Sequence, residues 1–196
     1  MAQEYRQHSF KRPPGATEIL LVRHGESRAA SPDNPFPLVD GQGDPELHPN
    51  GWEQARRVGE RLKSEPIDAI YVTNLRRTQE TAQPLSEHLN IKPIVEPDLR
   101  EVHLGEWEGG LLRMKAAQED PIYHQMRIQQ RWDVIPGAEG WDAINKRVSA
   151  GLGRIKAAHP DQLVVAVVHG GIVAHILAHA SGARAFAFQG ADNGSI

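Results

Sequence analysis

The sequence contains no cysteine, which excludes disulfide bonds, thiolate zinc sites and cysteine nucleophiles together. It also lacks an excess of charge of either sign, because the formal net charge of −3 gives no indication of nucleic acid or an anionic membrane as a partner. No apolar run approaches the roughly 20 residues that a membrane-spanning helix needs. With 196 residues and 39% hydrophobic composition, the chain is ordinary for a soluble globular protein that buries a core of its own.

The amino-terminal stretch is polar and has no apolar core of signal-peptide length. It ends in Lys-Arg-Pro-Pro-Gly at 11–15, and we interpret residues 1–16 as a flexible leader. A single domain over residues 17–196 is expected to follow. The expected location of the protein is the cytoplasm.

The first strong pattern is Ile-Leu-Leu-Val at 19–22, an apolar run that is too short for a helix and typical of a strand buried on both faces. Arg23 and His24 follow at its carboxyl end, and Gly25 lets the chain turn sharply and approach a ligand closely. Ligands of open α/β sheets bind just outside the carboxyl ends of the strands. The stretch therefore predicts a site, although a buried strand that merely ends in two polar residues has the same pattern.

A second apolar run, residues 163–168, is β-branched at four of its six positions and also ends in a histidine and two glycines. If both strands are parallel and central, His24 and His169 emerge side by side. The amides of Gly170 and Gly171 open a predicted helix and form a natural anion site. Gly170 is accordingly a predicted substrate-binding residue.

The remaining pattern predicts alternating strands and helices of an α/β chain. We expect strands over 68–73 and 91–95 and helices over 50–62, 75–89, 141–155 and 170–180. Asn50 is the expected N-cap of the first helix, with Glu53 in the capping-box position, and Asn74 can cap the second. Pro84 should bend or break that second helix. Residues 27–49 hold five prolines, and a loop of this length at a candidate site is usually functional or disordered.

Two arginines, Arg76 and Arg77, fall in the first turn of the predicted helix 75–89. Cations there oppose the helix dipole and are unfavourable unless an anion lies nearby. For at least one of them, an ordinary solvated charge is an adequate interpretation.

Four motifs, in this order, resemble the histidine phosphatase superfamily, which has the phosphoglycerate-mutase-like fold. They are Leu-Val-Arg-His-Gly-Glu-Ser at 21–27, Asn-Leu-Arg-Arg-Thr-Gln-Glu-Thr-Ala at 74–82, Leu-Arg-Glu-Val-His-Leu-Gly-Glu-Trp-Glu-Gly at 99–109, and Val-Val-His-Gly-Gly at 167–171. Each is weak alone, and together they are a strong signal. The resemblance, which is to the phosphatase branch, implies a three-layer α/β/α sandwich with a mostly parallel central sheet.

The resemblance also implies roles for five residues. His24 corresponds to the nucleophile, Glu101 to the proton donor, and Arg23, Arg77 and His169 to the residues that bind the phosphate. Arg77 is the match because it directly precedes the Thr-Gln-Glu-Thr-Ala segment.

One position departs from the family pattern. Members often have an asparagine six residues after the nucleophile that helps hold the phosphate, and here Ala30 occupies that position. Ser27, Arg28, Ser31 or Asn34 can take its place, and nothing in the sequence selects among them. Ser27 is included among the predicted substrate-binding residues.

The chemistry explains why these residue types are needed. Phosphoryl transfer requires neutralised phosphate charge and an aligned nucleophile. Positive charge from the arginines disfavours the imidazolium form of His24 and keeps a ring nitrogen free to attack. His169, against the bound anion, is expected to favour its cationic form. Glu101 must donate a proton to the leaving alkoxide and then, deprotonated, activate the water that cleaves the phosphohistidine.

The main hypothesis is a metal-independent phosphomonoesterase that acts through a phosphohistidine on a small phosphorylated metabolite. The alternatives are a phosphoglycerate-mutase-type phosphotransferase and a catalytically silent phosphate-binding module. No cofactor and no metal are expected, because His175 and His179 have no evident third ligand. The expected partner is the small phosphorylated substrate, without nucleic acid or membrane, and a homodimer is left open.

The segment 109–140, called the excursion below, has a poor helical pattern that Asp120-Pro121 interrupts, and it is a candidate lid over the site. Its basic residues are spread among apolar ones, namely Met114, Ile122, Tyr123, Met126, Ile128 and Trp132. These apolar residues either line a cleft for a substrate with an organic body or simply pack the excursion onto the domain.

Overall fold

The computed structural model describes residues 4–8 and 10–196. The described strands are β1 (Glu18–Arg23), β2 (Leu38–Val39), β3 (Gln42–Gly43), β4 (Ala69–Val72), β5 (Ile94–Val95) and β6 (Leu163–Val168). The described helices are α1 (Pro49–Leu62), α2 (Arg76–Leu89), α3 (Leu111–Ala117), α4 (Pro121–Gln129), α5 (Trp141–Ala158) and α6 (Gly170–Ser181). Short 3-10 turns at Pro97–Leu99, Gly105–Trp107 and Trp132–Val134 complete the regular structure.

Four parallel strands form the central sheet in the order β1-β6-β4-β5. The central strand β6 is buried on both faces because its successive side chains alternate between two apolar clusters. Val164, Ala166 and Val168 face one cluster, and Val165 and Val167 face the other. The continuous apolar run of this strand thus reflects two covered faces.

Helices cover both faces of this sheet, which confirms the predicted three-layer α/β/α architecture. On one face, α1 and α2 contribute Val58, Leu62, Ala82 and Leu85 to the core. On the other, α5 and α6 contribute Ile144, Val148, Ile155, Ile172 and Val173. None of the helices described is long and apolar enough to cross a membrane.

Strand β1 differs from its prediction, because it lies at one edge of the sheet and is not central. Of its apolar residues only Val22 is fully buried, and the other three are half-buried. The end of the strand is covered by residues 194–195. The Arg23 amide donates to the Ser195 carbonyl at 3.1 Å, and the Gly194 amide donates to the Arg23 carbonyl at 3.0 Å.

The helix starts also differ from the predictions. His48 caps α1 by accepting from the Asn50 amide, so Asn50 is not the cap. The prediction for Asn74 is wrong as well, since its side chain donates to Asp40 while the Asp44 carboxylate accepts from the Arg76 amide at 2.7 Å. A carboxylate at this helix end satisfies a free amide and the helix dipole together.

The break expected at Pro84 and the length expected for the strand 91–95 were wrong. Pro84 does not break α2, which is helical from Arg76 to Leu89. The predicted strand 91–95 is reduced to the two residues of β5.

The leader and the domain boundary at residue 17 stay predictions. Residues 1–3 and 9 of the leader lie outside the described residues. Where the leader is described near its end, the Arg12 guanidinium donates to the Gln162 carbonyl at 3.0 Å and the Gly15 amide to the Asp161 carboxylate at 2.7 Å.

Candidate active site

The pairing of β1 with β6 places the two histidines together. Arg23 and Val168 are register partners at the ends of the two strands, and the His24 amide donates to the Val168 carbonyl at 2.9 Å. The imidazole rings of His24 and His169 follow directly, with centroids 5.2 Å apart in an edge-to-face arrangement. The prediction that they emerge side by side is confirmed, although β1 is an edge strand.

His24 is buried and its orientation is fixed from both sides. Its Nδ1 lies 2.7 Å from the Gly25 carbonyl, which can only accept, so this nitrogen carries the proton. The Arg77 Nε–H points at the opposite nitrogen, Nε2, over 3.3 Å. Gly25 is required here because a Cβ at its position would lie 2.5 Å from the Gly51 carbonyl oxygen. The unprotonated Nε2 of His24 therefore carries the lone pair, which accepts the Arg77 Nε–H.

The two neighbouring arginines of α2 have different surroundings. Arg77 is only 7% exposed, and it donates to the Gly43 carbonyl at 2.8 Å as well as to His24. Arg76 is half exposed and forms an ion pair with Glu80 at 2.7 Å. The structure thus brings Arg77 into the site and leaves Arg76 at the surface.

Two buried nitrogen atoms of the predicted phosphate ligands have no hydrogen-bond partner among the described residues. They are Arg23 Nε and His169 Nδ1. The other contacts of these side chains are made, since an Arg23 terminal nitrogen donates to the Ala191 carbonyl and His169 Nε2 lies 3.0 Å from the Thr73 hydroxyl. Buried polar atoms almost always have a partner. An anion that accepts hydrogen bonds would satisfy both.

Burial and nearby positive charge lower the pKa of both His24 and His169. Burial is the largest cause that holds the pKa of His24 well below its usual range, and the Arg77 charge is the next. The pKa of His169 is lowered by the same two causes in the same order. The expected cationic form of His169 is therefore not favoured by the protein alone, and the negative charge of a bound phosphate would have to raise its pKa.

Glu101 lies in the loop between the Pro97–Leu99 turn and the Gly105–Trp107 turn. Its carboxylate accepts from the Val102 amide at 3.0 Å and from the Gly171 amide at 3.3 Å. The predicted anion site at the start of α6 is thus occupied at Gly171 by Glu101. A Cβ on Gly170 would lie 3.2 Å from Arg23 Nε, so the absence of a side chain there lets the arginine pack closely.

These residues surround a pocket of about 260 Å³. Its lining includes Arg23, His24, Arg77 and Glu101 together with Phe36, Gln42, Gly43, Pro45, Val102, Leu104, Trp107, Glu108, Gly110, Leu112 and Arg113. His169 is fully buried beside His24 and is not part of the lining. The pocket combines three guanidinium groups, two carboxylates and several apolar side chains.

Arg113 of α3 is a site residue that the sequence analysis did not select. It donates to the Ser27 hydroxyl at 2.7 Å and to the Arg28 carbonyl at 3.0 Å, and its guanidinium lies 5.2 Å from the centre of the Phe36 ring. Burial, followed by the Arg23 charge, lowers its pKa. Its position only four residues after the third motif was the available signal.

The candidates to replace the family asparagine differ in their contacts. Ser27 is buried and held by Arg113, whereas Arg28 turns to an ion pair with Glu46 at 3.2 Å. None of the four candidates, Ser27 included, belongs to the lining of the pocket. Gln42 was also missed. It is 2% exposed and donates to the Glu101 carbonyl at 2.7 Å from the hairpin of β2 and β3.

The apolar residues of the excursion pack among themselves. Ile122, Tyr123, Met126 and Trp132 form a separate cluster around Trp107 and Ile135. Ile128 is 81% exposed. Only Gly110, Leu112 and Arg113 of the excursion line the pocket. None of the six apolar residues lines this pocket, so the hypothesis that they form its cleft is wrong. Packing accounts for Ile122, Tyr123, Met126 and Trp132, whereas Met114 lines a neighbouring groove with Arg23 and Ser27.

The family model of the histidine phosphatase superfamily (branch 1) matches residues 19–196. The chain belongs to this superfamily. The family and the enzyme class that the four motifs predicted, a histidine phosphatase, are thereby confirmed.

Similar proteins carry related names. Phosphoglycerate mutase-like protein 4 of Arabidopsis thaliana is 36% identical over 160 residues, which cover 80% of this chain and 67% of the relative. The metal-independent phosphoserine phosphatase of the same plant is 33% identical over 160 residues, which cover 80% of this chain and 66% of the relative. The chain thus spans about two thirds of the length of these relatives.

Among solved structures, the mycobacterial glucosyl-3-phosphoglycerate phosphatase superposes with a TM-score of 0.72 at 28% identity, over 88% of this chain and 84% of that one. The Bacillus stearothermophilus protein YhfR has a TM-score of 0.75 at 26% identity, over 91% of this chain and 88% of that one.

Proposed function

We propose that the protein is a metal-independent phosphomonoesterase that forms a phosphohistidine on His24 and acts on a small phosphorylated metabolite. The observation that carries this proposal is the setting of His24. Its Nδ1 proton is held by the Gly25 carbonyl, and its Nε2 lone pair faces Arg77 inside the pocket. A neutral imidazole with a defined tautomer is a nucleophile that is ready to attack phosphorus.

The phosphate would be bound by Arg23, Arg77 and His169. Forked guanidinium donors match phosphate oxygens, and Arg23 Nε and His169 Nδ1 are two buried nitrogens without a hydrogen-bond partner among the described residues. Arg113 supplies a third guanidinium at the rim of the same pocket. In this scheme Arg113, which donates to Ser27, supplies the additional phosphate donor that the family pattern assigns to an asparagine at position 30.

Glu101 would act as the general acid and then as the general base. Its carboxylate lines the pocket that contains His24, and it is oriented by the amides of Val102 and Gly171. In the first step the His24 Nε2–P bond forms while the P–O bond to the leaving group breaks, and Glu101 gives that oxygen its proton. In the second step Glu101 takes a proton from the attacking water, whose oxygen bonds to phosphorus while the Nε2–P bond breaks and its electron pair returns to His24.

The size of the pocket supports a small substrate. About 260 Å³ is below the usual range of roughly 300–1,000 Å³ for drug-sized ligands, and the phosphate itself takes part of that space. Two relatives are named phosphoserine phosphatases, so phosphoserine is the first substrate to assay. A panel of phosphorylated metabolites, followed by phosphate release from wild type and from His24→Ala, tests the proposal. No release from any member of the panel would favour the silent phosphate-binding module.

The second candidate function is phosphoglycerate mutase activity, which the name of the most identical plant relative quoted above favours. The deciding assay follows isomerisation of 3-phosphoglycerate and free phosphate, with and without 2,3-bisphosphoglycerate. We expect phosphate release to exceed isomerisation. Isomerisation that outruns phosphate release would make the protein a mutase.

The cytoplasm is the proposed compartment, and a small phosphorylated substrate is the proposed partner. Cell fractionation with an antibody against the protein would test it.

A further inference from the structure

The segment that carries Glu101 has little regular structure of its own. Residues 98–103, called the acid loop below, contain only the end of the Pro97–Leu99 turn. A general acid must nevertheless be held within a fraction of an ångström of the leaving oxygen, since small displacements cost large factors in rate. Within the acid loop only the Val102 amide contacts the Glu101 carboxylate, so the loop itself must be held by groups outside it.

Arg147 of α5 provides most of that support. Its guanidinium donates to three backbone carbonyls of the acid loop, those of Asp98 at 2.8 Å, Arg100 at 2.7 Å and Glu101 at 3.1 Å. It also makes two hydrogen bonds of 2.7 Å to the carboxylate of Glu139. These five bonds use the five N–H donors of a guanidinium.

Glu139, the carboxylate that pairs with Arg147, also holds the acid loop. Glu139 accepts from the His103 amide at 3.3 Å, and its own amide donates to the His103 carbonyl at 2.9 Å. The side chain of Arg147 is 9% exposed and that of Glu139 is 14% exposed, so water competes little for these bonds. Arg147 does not line the pocket. It can affect the reaction through the residues that it holds and through its charge, which is a minor cause of the lowered pKa of His169.

We propose that Arg147, fixed by Glu139, is the positioning residue of the general acid: it holds the acid loop so that the Glu101 carboxyl points into the pocket. The proposal rests on the proposed function, in which Glu101 protonates the leaving oxygen. It predicts a dependence on the leaving group. A displaced acid slows substrates whose alkoxide needs a proton, and it leaves p-nitrophenyl phosphate less affected.

The test is Arg147→Lys, which keeps the charge and loses the forked geometry. We expect kcat/KM for an alkyl phosphate to fall about tenfold more than kcat/KM for p-nitrophenyl phosphate. The matched control is Arg154→Lys on the same helix. Arg154 touches the same region through the side chains of Glu96 and Asp98 and not through the carbonyls. The control should leave unchanged the ratio of kcat/KM for p-nitrophenyl phosphate to kcat/KM for the alkyl phosphate. This ratio is called the leaving-group ratio below.

Epistasis with Glu101→Gln separates this proposal from the proposed function. Glu101→Gln should itself raise the leaving-group ratio. Adding Arg147→Lys to Glu101→Gln should raise this ratio no further. A parallel loss on both substrates in Arg147→Lys, with the ratio raised in Glu101→Gln, would overturn the role of Arg147 alone. An unchanged ratio in Glu101→Gln would overturn the acid role and this proposal with it.

A second variant covers the case in which Arg147→Lys does not fold. Glu139→Gln keeps a side chain of the same shape and weakens the hold on Arg147. We expect a smaller rise of the same ratio at an unchanged far-UV spectrum. A folded Glu139→Gln with a wild-type ratio would contradict the proposal.

Discussion

The arginines on the two sides of the pocket differ in whether they form ion pairs with carboxylates. Arg147 and Arg154, behind the acid loop, each form ion pairs with carboxylates. Arg23, Arg77 and Arg113, in the pocket wall, form no ion pair with any carboxylate of the described residues. We call the first group the paired arginines and the second the unpaired arginines.

The difference shows how one residue type serves two purposes. A guanidinium that is neutralised by a carboxylate has its donors committed and can fix backbone, as Arg147 does. Burial is the largest cause that lowers the pKa of both Arg77 and Arg113, and the charge of a neighbouring arginine lowers each pKa further. A bound phosphate dianion would stabilise these desolvated cations, which form no ion pair of their own, so the site favours binding of an anion.

The largest effect is expected from removing an unpaired arginine at the centre of the site. Arg77→Gln should lower kcat/KM by about 10² to 10³, because it deletes a charge-assisted donor next to the transferring phosphoryl group. Arg76→Gln is the matched control, since Arg76 is adjacent in sequence and pairs with Glu80 at the surface. It should change kcat/KM by less than about twofold. Equal losses in the two variants would show that the comparison of paired and unpaired arginines is wrong.

A smaller effect is expected at the rim. Arg113→Gln should reduce kcat/KM by about tenfold, mainly through KM, because this guanidinium is closer to solvent than Arg77 and its charge is better screened. Inorganic phosphate should inhibit the variant more weakly than it inhibits wild type. Arg127→Gln serves as control, because Arg127 is exposed and bonds to Gln189 outside the pocket. Unchanged inhibition by phosphate in Arg113→Gln would remove Arg113 from the binding site.

A change in pH dependence is expected to be smaller still. The pKa of His24 lies well below its usual range, so the nucleophile stays neutral as the pH falls below about 6.5. The acid limb of the kcat/KM profile should therefore lie below that value. In Arg77→Gln one cause of the lowering is removed, the pKa of His24 rises, and the limb moves to higher pH. A limb that does not move, or that moves to lower pH, would contradict the assigned electrostatics.

Removal of metal ions is expected to have no effect on activity. The unpaired arginines supply the positive charge that a metal ion supplies in other phosphatases, so exhaustive chelation should leave turnover unchanged. The assay compares dialysed enzyme with and without a chelator, using magnesium and zinc as additions. A loss of activity that either metal restores would mean that the charge of the arginines is not sufficient.

The sequence was most informative where a residue type and a local pattern coincide. The runs that end in His24 and His169 each specify a strand and a functional end, and their parallel pairing brings the rings to 5.2 Å. Arg77 was separable from Arg76 by its place in a motif. Local patterns were enough for these predictions because the chemistry lies within a few residues of an element boundary.

The missed features depend on contacts between distant segments. Arg113 reaches Ser27 across 86 positions, and Arg147 reaches Glu101 across 46. The cap of α2 was missed for the same reason, since Asp44 approaches Arg76 from 32 positions away. No periodicity or spacing encodes such contacts. They follow from the tertiary fold, which brings the excursion and α5 against the loops of the site.

The central claim is that His24 Nε2 is the nucleophile that the unpaired arginines serve. The direct measurement is rapid quenching with a ³²P-labelled substrate, without exposure to acid, followed by analysis of the labelled residue. The account predicts label on His24 that is stable to base and labile to acid, and none in His24→Ala. Label on a serine, or full activity in a folded His24→Ala, would contradict it.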